Sequence, residues 1–238
     1  MWTFDSLKTK IFADGADLEG MLEMASKPFI SGLTTNPTLM RKAGISDYSS
    51  FAHQVLEKIT DKPISFEVFS DELDQMKIQG KKIASWGENV YVKIPVTNTL
   101  GESTKSVIQY LSDNGVKVNV TAIMTNKQVK EIVSSVNTEV PNCLSIFAGR
   151  IADTGRDPVP LMKAAMEITG NFPKTELIWA SPRELLNIFQ ANEIGCHIIT
   201  ATNDILSKLK LLEKDLNEYS LETVKMFYDD AKQAGFQL

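Results

Sequence analysis

Val90-Tyr91-Val92-Lys93-Ile94-Pro95-Val96 is an apolar run carrying a single charge, and its reading sets the fold. β-branched and aromatic residues dominate it, which marks a strand buried on both faces, as in parallel sheets covered by helices. Lys93 has no counter-charge among its sequence neighbours. Lysine is seldom buried without a partner. An apolar wall disfavours the ammonium form, and a neutral amine is the species that attacks a carbonyl to form a Schiff base. The alternative is a lysine that snorkels its head to the strand end or pairs with a distant carboxylate.

Working outward from this run, short apolar segments recur at Ile11–Asp14, Ile30–Thr35, Ile64–Phe69, Val90–Val96, Val116–Ile123, Cys143–Ala148, Glu176–Ser181 and His197–Thr202. Segments with helical spacing lie between them, among them Tyr48–Ile59, Leu73–Trp86 and Leu161–Ile168. Gly87 offers a helix stop, and Asp157-Pro158 an N-cap with a first-turn proline. Strands alternating with helices eight times, with no internal linker, predict one (β/α)8 TIM barrel domain over residues 1–238. An open doubly wound sheet would often carry a glycine-rich loop after its first strand, and none stands there. An extra amphipathic helix over about 220–235, opened by Ser220 and closed by Gly235, carries Leu221, Val224, Phe227, Tyr228 and Ala231 on one face.

Composition narrows the function. A net charge of −5 without a basic stripe argues against nucleic acid as a partner. No apolar run approaches a membrane span, and Met1–Lys10 lacks a signal-peptide core, so no membrane partner and a cytoplasmic location are expected. Cys143 and Cys196 make no disulfide framework. His53 and His197 form no motif at metal-ligand spacing, so no bound metal is expected.

Taking Lys93 as inward and applying period two, polar residues gather at the carboxyl ends of the strands. They are Asp14; Thr34, Thr35 and Asn36; Ser65 and Glu67; Asn119 and Thr121; Ser145, with Phe147 and then Arg150; Ser181 and Arg183. Lys93, Asn119 and Ser145 stand 26 residues apart in turn, which predicts equivalent depths in successive units. Strand ends are polar wherever loops begin, but that does not explain why two acids, a lysine and two arginines should converge. Such a set permits class I aldol chemistry. The lysine forms an imine, one carboxylate takes the proton of the departing hydroxyl, and another shuttles protons during imine formation. Asparagine and serine can hold hydroxyls, and the arginines can clamp a phosphate.

Gly32-Leu33-Thr34-Thr35-Asn36-Pro37-Thr38-Leu39 and Tyr91-Val92-Lys93-Ile94-Pro95-Val96-Thr97 together resemble the transaldolase family, including its short members and the fructose-6-phosphate aldolases. The resemblance runs from about Asp14 to Arg183. It implies a barrel with the Schiff-base lysine, Lys93, on the fourth strand, no cofactor, and Asp14 as acid/base at the cleaved bond. It also implies Glu67 acting with Thr121 through a water. Asn36, Asn119 and Ser145 would hold the dihydroxyacetone unit with support from Thr34, and Arg150, Ser181 and Arg183 would bind the phosphate of sugar phosphates. The compact length resembles members assembled as homo-oligomers, pentamers or decamers. Gly15 replaces a common threonine, and Pro182 interrupts the usual Ser-Phe-Arg. Glu67, Phe147 and Asn119-Val120-Thr121 resemble the transaldolase pattern rather than the aldolase pattern of Gln and Tyr. A barrel kept only as a binding or assembly module would be expected to lose the lysine or the carboxylates, and this chain keeps them.

Overall fold

The structure, a computed structural model, describes residues 7–237, so the first six residues of the Met1–Lys10 stretch read above lie outside the described part. Eight parallel strands close into a barrel in chain order. They are β1 (Lys10–Asp14), β2 (Ile30–Thr34), β3 (Ile64–Glu67), β4 (Val90–Pro95), β5 (Val118–Ile123), β6 (Asn142–Ile146), β7 (Thr175–Trp179) and β8 (Ile198–Thr202). Around them lie α1 (Leu18–Ser26), α2 (Pro37–Lys42), α3 (Tyr48–Lys58), α4 (Leu73–Ala84), α5 (Lys105–Asp113) and α6 (Asn126–Val133). The ring continues with α7 (Ala148–Ala152), α8 (Val159–Thr169), α9 (Leu186–Glu193) and α10 (Asn203–Leu206), and α11 (Leu216–Gln233) follows.

Strand parity divides the core in two. Val92, Ile94, Val118, Val120, Leu144 and Ile146 face outward into the large apolar layer beneath the helices. Phe12, Cys143, Ile178, Ala180 and Ile198, with Tyr91 and Phe147, form a second cluster that fills the lumen. The Phe12 ring occupies the space that a Cβ on Gly32 would need, at 2.5 Å, so only glycine at that position leaves room for the lumen filling. This filling is the floor on which the polar strand ends stand.

Several boundaries differ from the sequence reading. β3 stops at Glu67 and β7 at Trp179, so Ser181 lies in the loop beyond its strand, with φ at 61°. Asp157 accepts from the Val159 N–H at 2.9 Å, but Pro158 is the cap residue of α8. α11 begins at Leu216, not at Ser220, because Asp215 accepts from the N–H groups of Asn217 and Glu218 at 2.8 and 3.0 Å. Gly235, at φ 68°, follows its last turn. Among the described residues no helix is long and apolar enough to cross a membrane.

Candidate active site

Lys93 points inward from β4 and is 5% exposed. It is not the solitary charge that its own segment suggests. Its ladder partner on β3 is Glu67, whose Oε2 lies 3.2 Å from Lys93 Nζ, and Nζ also donates to the Thr35 carbonyl at 2.9 Å. Strand pairing thus supplies the counter-charge that the linear sequence hides.

Asp14, at the end of β1, faces the same cavity. Thr34 donates to its Oδ1 at 2.8 Å, and the Asn36 amide donates to its Oδ2 at 3.3 Å. Burial pushes the Asp14 carboxyl up from the usual range, while the charge of Lys93 and these two hydrogen bonds oppose the rise. Asn36 also caps α2, accepting from the Leu39 N–H at 2.9 Å, so the amide that touches Asp14 is locked by the helix it starts. Thr34 shares a second hydrogen bond, 2.6 Å long, with Thr200 on β8. Thr200 is thus a site residue beyond those anticipated, although period two from Ile198 places it inward.

Asn119 does not reach the cavity. It is fully buried beside Lys93 in the strand ladder, where its amide donates to Ser65 at 2.9 Å and accepts from Ser145 at 2.8 Å. Lys93 pairs with Asn119, and Asn119 with Cys143, two residues before Ser145. Because barrel strands tilt, that offset leaves Lys93 and Ser145 at like depth, both lining the cavity, with Asn119 against Ser145 outside the lining. Asn119 therefore orients Ser145, and Ser145 meets the cavity. Thr121 also lines it, and its hydroxyl is buried without a partner among the described residues. The next residue, Ala122, adopts φ 62° where the β5–β6 ladder shifts register. A non-glycine residue held there costs roughly 1–3 kcal/mol, and such strain collects at functional sites.

At the outer end, Arg150 lies over the Phe147 ring at 5.8 Å. Arg183 is turned sideways. Its Nε and Nη2 form a fork onto Asp153 at 2.9 and 2.5 Å, and Nη1 reaches Ser181 at 3.1 Å. The Arg183 guanidinium holds the Asp153 carboxyl below the usual range, and Asp153 raises Arg183 in return. The two loops meet at Gly149, whose absent Cβ would lie 1.6 Å from the Ser181 carbonyl.

Of the residues to which the resemblance gives a role, all but Asn119 line one cavity of about 420 Å³: Asp14, Thr34, Asn36, Glu67, Lys93, Thr121, Ser145, Phe147, Arg150, Ser181 and Arg183; Thr35 and Ser65, also read at the strand ends, lie outside its lining. Thr38, Leu39 and Lys42 of α2 form a further wall that the sequence reading leaves out. The family model "Transaldolase/Fructose-6-phosphate aldolase" matches residues 11–238. The chain belongs to this family.

Curated members of the transaldolase family agree over nearly the whole length. A probable transaldolase of Thermoanaerobacter sp. (strain X514) is 32% identical over 230 residues, covering 96% of this chain and 100% of the relative. One from Nitrosopumilus maritimus is 32% identical over 225 residues, covering 94% and 96%. One from Caldicellulosiruptor saccharolyticus is 34% identical over 202 residues, covering 84% and 88%. Among solved structures, 3-keto-L-gulonate-6-phosphate decarboxylase from Vibrio cholerae superposes with TM-score 0.58 at 10% identity, covering 82% of this chain and 88% of that one. A putative fructose-1,6-biphosphate aldolase from Coccidioides immitis gives 0.56 at 12% identity, covering 87% and 81%. At such identities these two speak for the barrel alone. This is an enzyme of the aldolase/transaldolase type.

Proposed function

We propose that this enzyme is a transaldolase that moves a dihydroxyacetone unit from a ketose phosphate to an aldose phosphate through a Schiff base on Lys93. Sedoheptulose 7-phosphate or fructose 6-phosphate is the donor, and glyceraldehyde 3-phosphate or erythrose 4-phosphate the acceptor. The carrying observation is the Lys93–Glu67 pair, 3.2 Å apart on the cavity floor, with Asp14 on another strand facing the same space. A proton passed from the ammonium to the carboxylate leaves both groups uncharged, so the nucleophile forms without stranding a charge. The amine adds to the donor ketone, and water leaves with protons carried by Glu67 and a water seated against the free Thr121 hydroxyl. Asp14 then takes the hydroxyl proton as the carbon–carbon bond breaks. The bonding electrons pass into the imine, the aldehyde departs, and the resulting enamine attacks the acceptor. Asp14 returns its proton to the new hydroxyl, and water then adds to the imine carbon, so that the carbon–nitrogen bond breaks and the new ketose phosphate leaves with Lys93 restored. The imine is the electron sink, so activity should survive exhaustive chelation.

Arg150 and Arg183 suit the phosphate end, with Arg150 the more available of the two. The fork to Asp153 occupies one edge of Arg183. Phe147 lines the cavity where a hydroxyl could protonate the enamine and release free dihydroxyacetone, which supports transfer over release. One assay tests the reading: fructose 6-phosphate with and without erythrose 4-phosphate, following sedoheptulose 7-phosphate and free dihydroxyacetone separately. Transfer should dominate, and borohydride during turnover should leave a three-carbon adduct on Lys93. Release of free dihydroxyacetone at the transfer rate would assign the aldolase reaction instead.

A further inference from the structure

β3 is short, and its ladder to β2 joins only Leu33 to Ile64 and Thr34 to Ser65. Thr35 closes that edge: its N–H and its hydroxyl both donate to the Ser65 carbonyl, at 3.2 and 2.9 Å. Beyond this point the β2 chain turns away into α2. The Val68 N–H bonds to the Lys93 carbonyl at 3.0 Å, on the β4 side. Alternation along β3 turns the backbone of Glu67 the other way, where the neighbouring strand has ended. Both its polar groups then need partners from elsewhere.

The Tyr48 hydroxyl supplies both. It accepts from the Glu67 N–H at 2.7 Å and donates to the Glu67 carbonyl at 3.0 Å. One side-chain oxygen thus replaces two missing ladder bonds, at the residue whose carboxylate pairs with Lys93. The ring is held firmly for this task. It meets Phe66 and Phe69 edge-on at 6.3 and 5.3 Å between centroids, and Trp86 at 5.8 Å. Asp47 caps α3, the helix that Tyr48 begins, by accepting from the Ser50 N–H at 2.9 Å. Burial pushes the phenol up, which keeps it neutral and able to donate and accept at once. Tyr48 does not line the cavity.

We infer that Tyr48 is a positioning residue for the reaction, holding the Glu67 carboxylate against Lys93 by closing the backbone bonds that β2 leaves open. The inference rests on the imine reading above. It requires that proton transfer through Glu67 suffer when the end of β3 loosens, because misplacement by about an ångström can cost 100-fold.

The test is Tyr48→Phe, which keeps the ring and removes the hydroxyl. The rate of borohydride-trapped adduct formation on Lys93 should fall about 10- to 100-fold, with KM nearly unchanged and an altered pH dependence of trapping. Added to Glu67→Gln, the same change should cost little more, because both act on one group. Ile64→Val, which loosens the same strand by a methyl, should lower Tm and leave the trapping rate near wild type. If Tyr48→Phe does not accumulate as folded protein, Trp86→Phe carries the test by loosening the ring's seat, and wild-type trapping there overturns the inference. Unchanged trapping in folded Tyr48→Phe, or losses that multiply fully with Glu67→Gln, overturns the positioning role alone. Absence of any Lys93 adduct in the wild type overturns the imine reading and this inference with it.

Discussion

Thr34 stands between two oxygens that matter, Asp14 Oδ1 at 2.8 Å and Thr200 Oγ1 at 2.6 Å. Its bond to Asp14 lowers a carboxyl that burial raises. Thr34→Val removes the bond and keeps the shape, so the carboxyl should rise further. If the ionised form of Asp14 accepts the hydroxyl proton, activity falls as pH drops through its pKa. The acid limb of kcat should therefore move to higher pH in the variant. A pH–rate profile checks this, and a limb that stays in place would separate Asp14 from the rate-limiting proton transfer. Lys93, Asp14 and the strand-end residues are legible in sequence because period two and an apolar setting mark them. The Lys93–Glu67 pairing and the bonds of Asn119 to Ser65 and Ser145 are not, because both depend on how separate strands are set together, which no single strand encodes.

Elements set the outer half of the cavity. α7 and the loop after β7 touch through Gly149, and any side chain there would drive into the Ser181 carbonyl. Gly149→Ala should cost roughly 1–3 kcal/mol by overpacking. At about 2–4 °C per kcal/mol for a chain near this size, calorimetry should resolve the drop in Tm. Phosphorylated substrates should lose more than unphosphorylated ones, since Arg150 and Ser181 flank the contact. Asp153→Asn should do the opposite at the same end. Removing the charge that engages Arg183 frees a guanidinium edge, so KM for phosphorylated donors should fall, by no more than about fivefold for an exposed pair. A rise in KM would show that Asp153 aims Arg183 rather than competing for it. Sequence placed the arginines at this end, but nothing in Pro182-Arg183 announces that Asp153, thirty residues earlier, takes hold of the second one. The start of α11 is hidden for a related reason: Ser220 reads as its opening in the sequence, and only the backbone geometry shows Asp215 as the cap.

For the whole molecule, the ring of strands and helices was readable because the alternation persists along the chain, whereas the role of α11 was not. α11 buries no residue, and Val224, Phe227 and Tyr228 are 60%, 63% and 67% exposed. We propose that this apolar face seats on further copies of the chain, giving a pentamer or decamer. Apparent Tm should then rise with protein concentration, and Val224→Glu with Phe227→Glu should lower the mass seen by light scattering. A monomer of constant Tm over a hundredfold range of concentration would refute the assembly. The filled lumen bears on kinetics rather than stability. Phe12, Cys143, Ile178 and Ile198 fill the barrel beneath Lys93, so the cavity opens toward the carboxyl ends of the strands. On the transfer reading proposed above, the first aldehyde leaves by the end at which the second enters, so the two sugars should take turns. Initial rates should follow a substituted-enzyme pattern, with parallel reciprocal lines. Excess acceptor, occupying the chamber before any donor has reacted, should slow the cycle it completes.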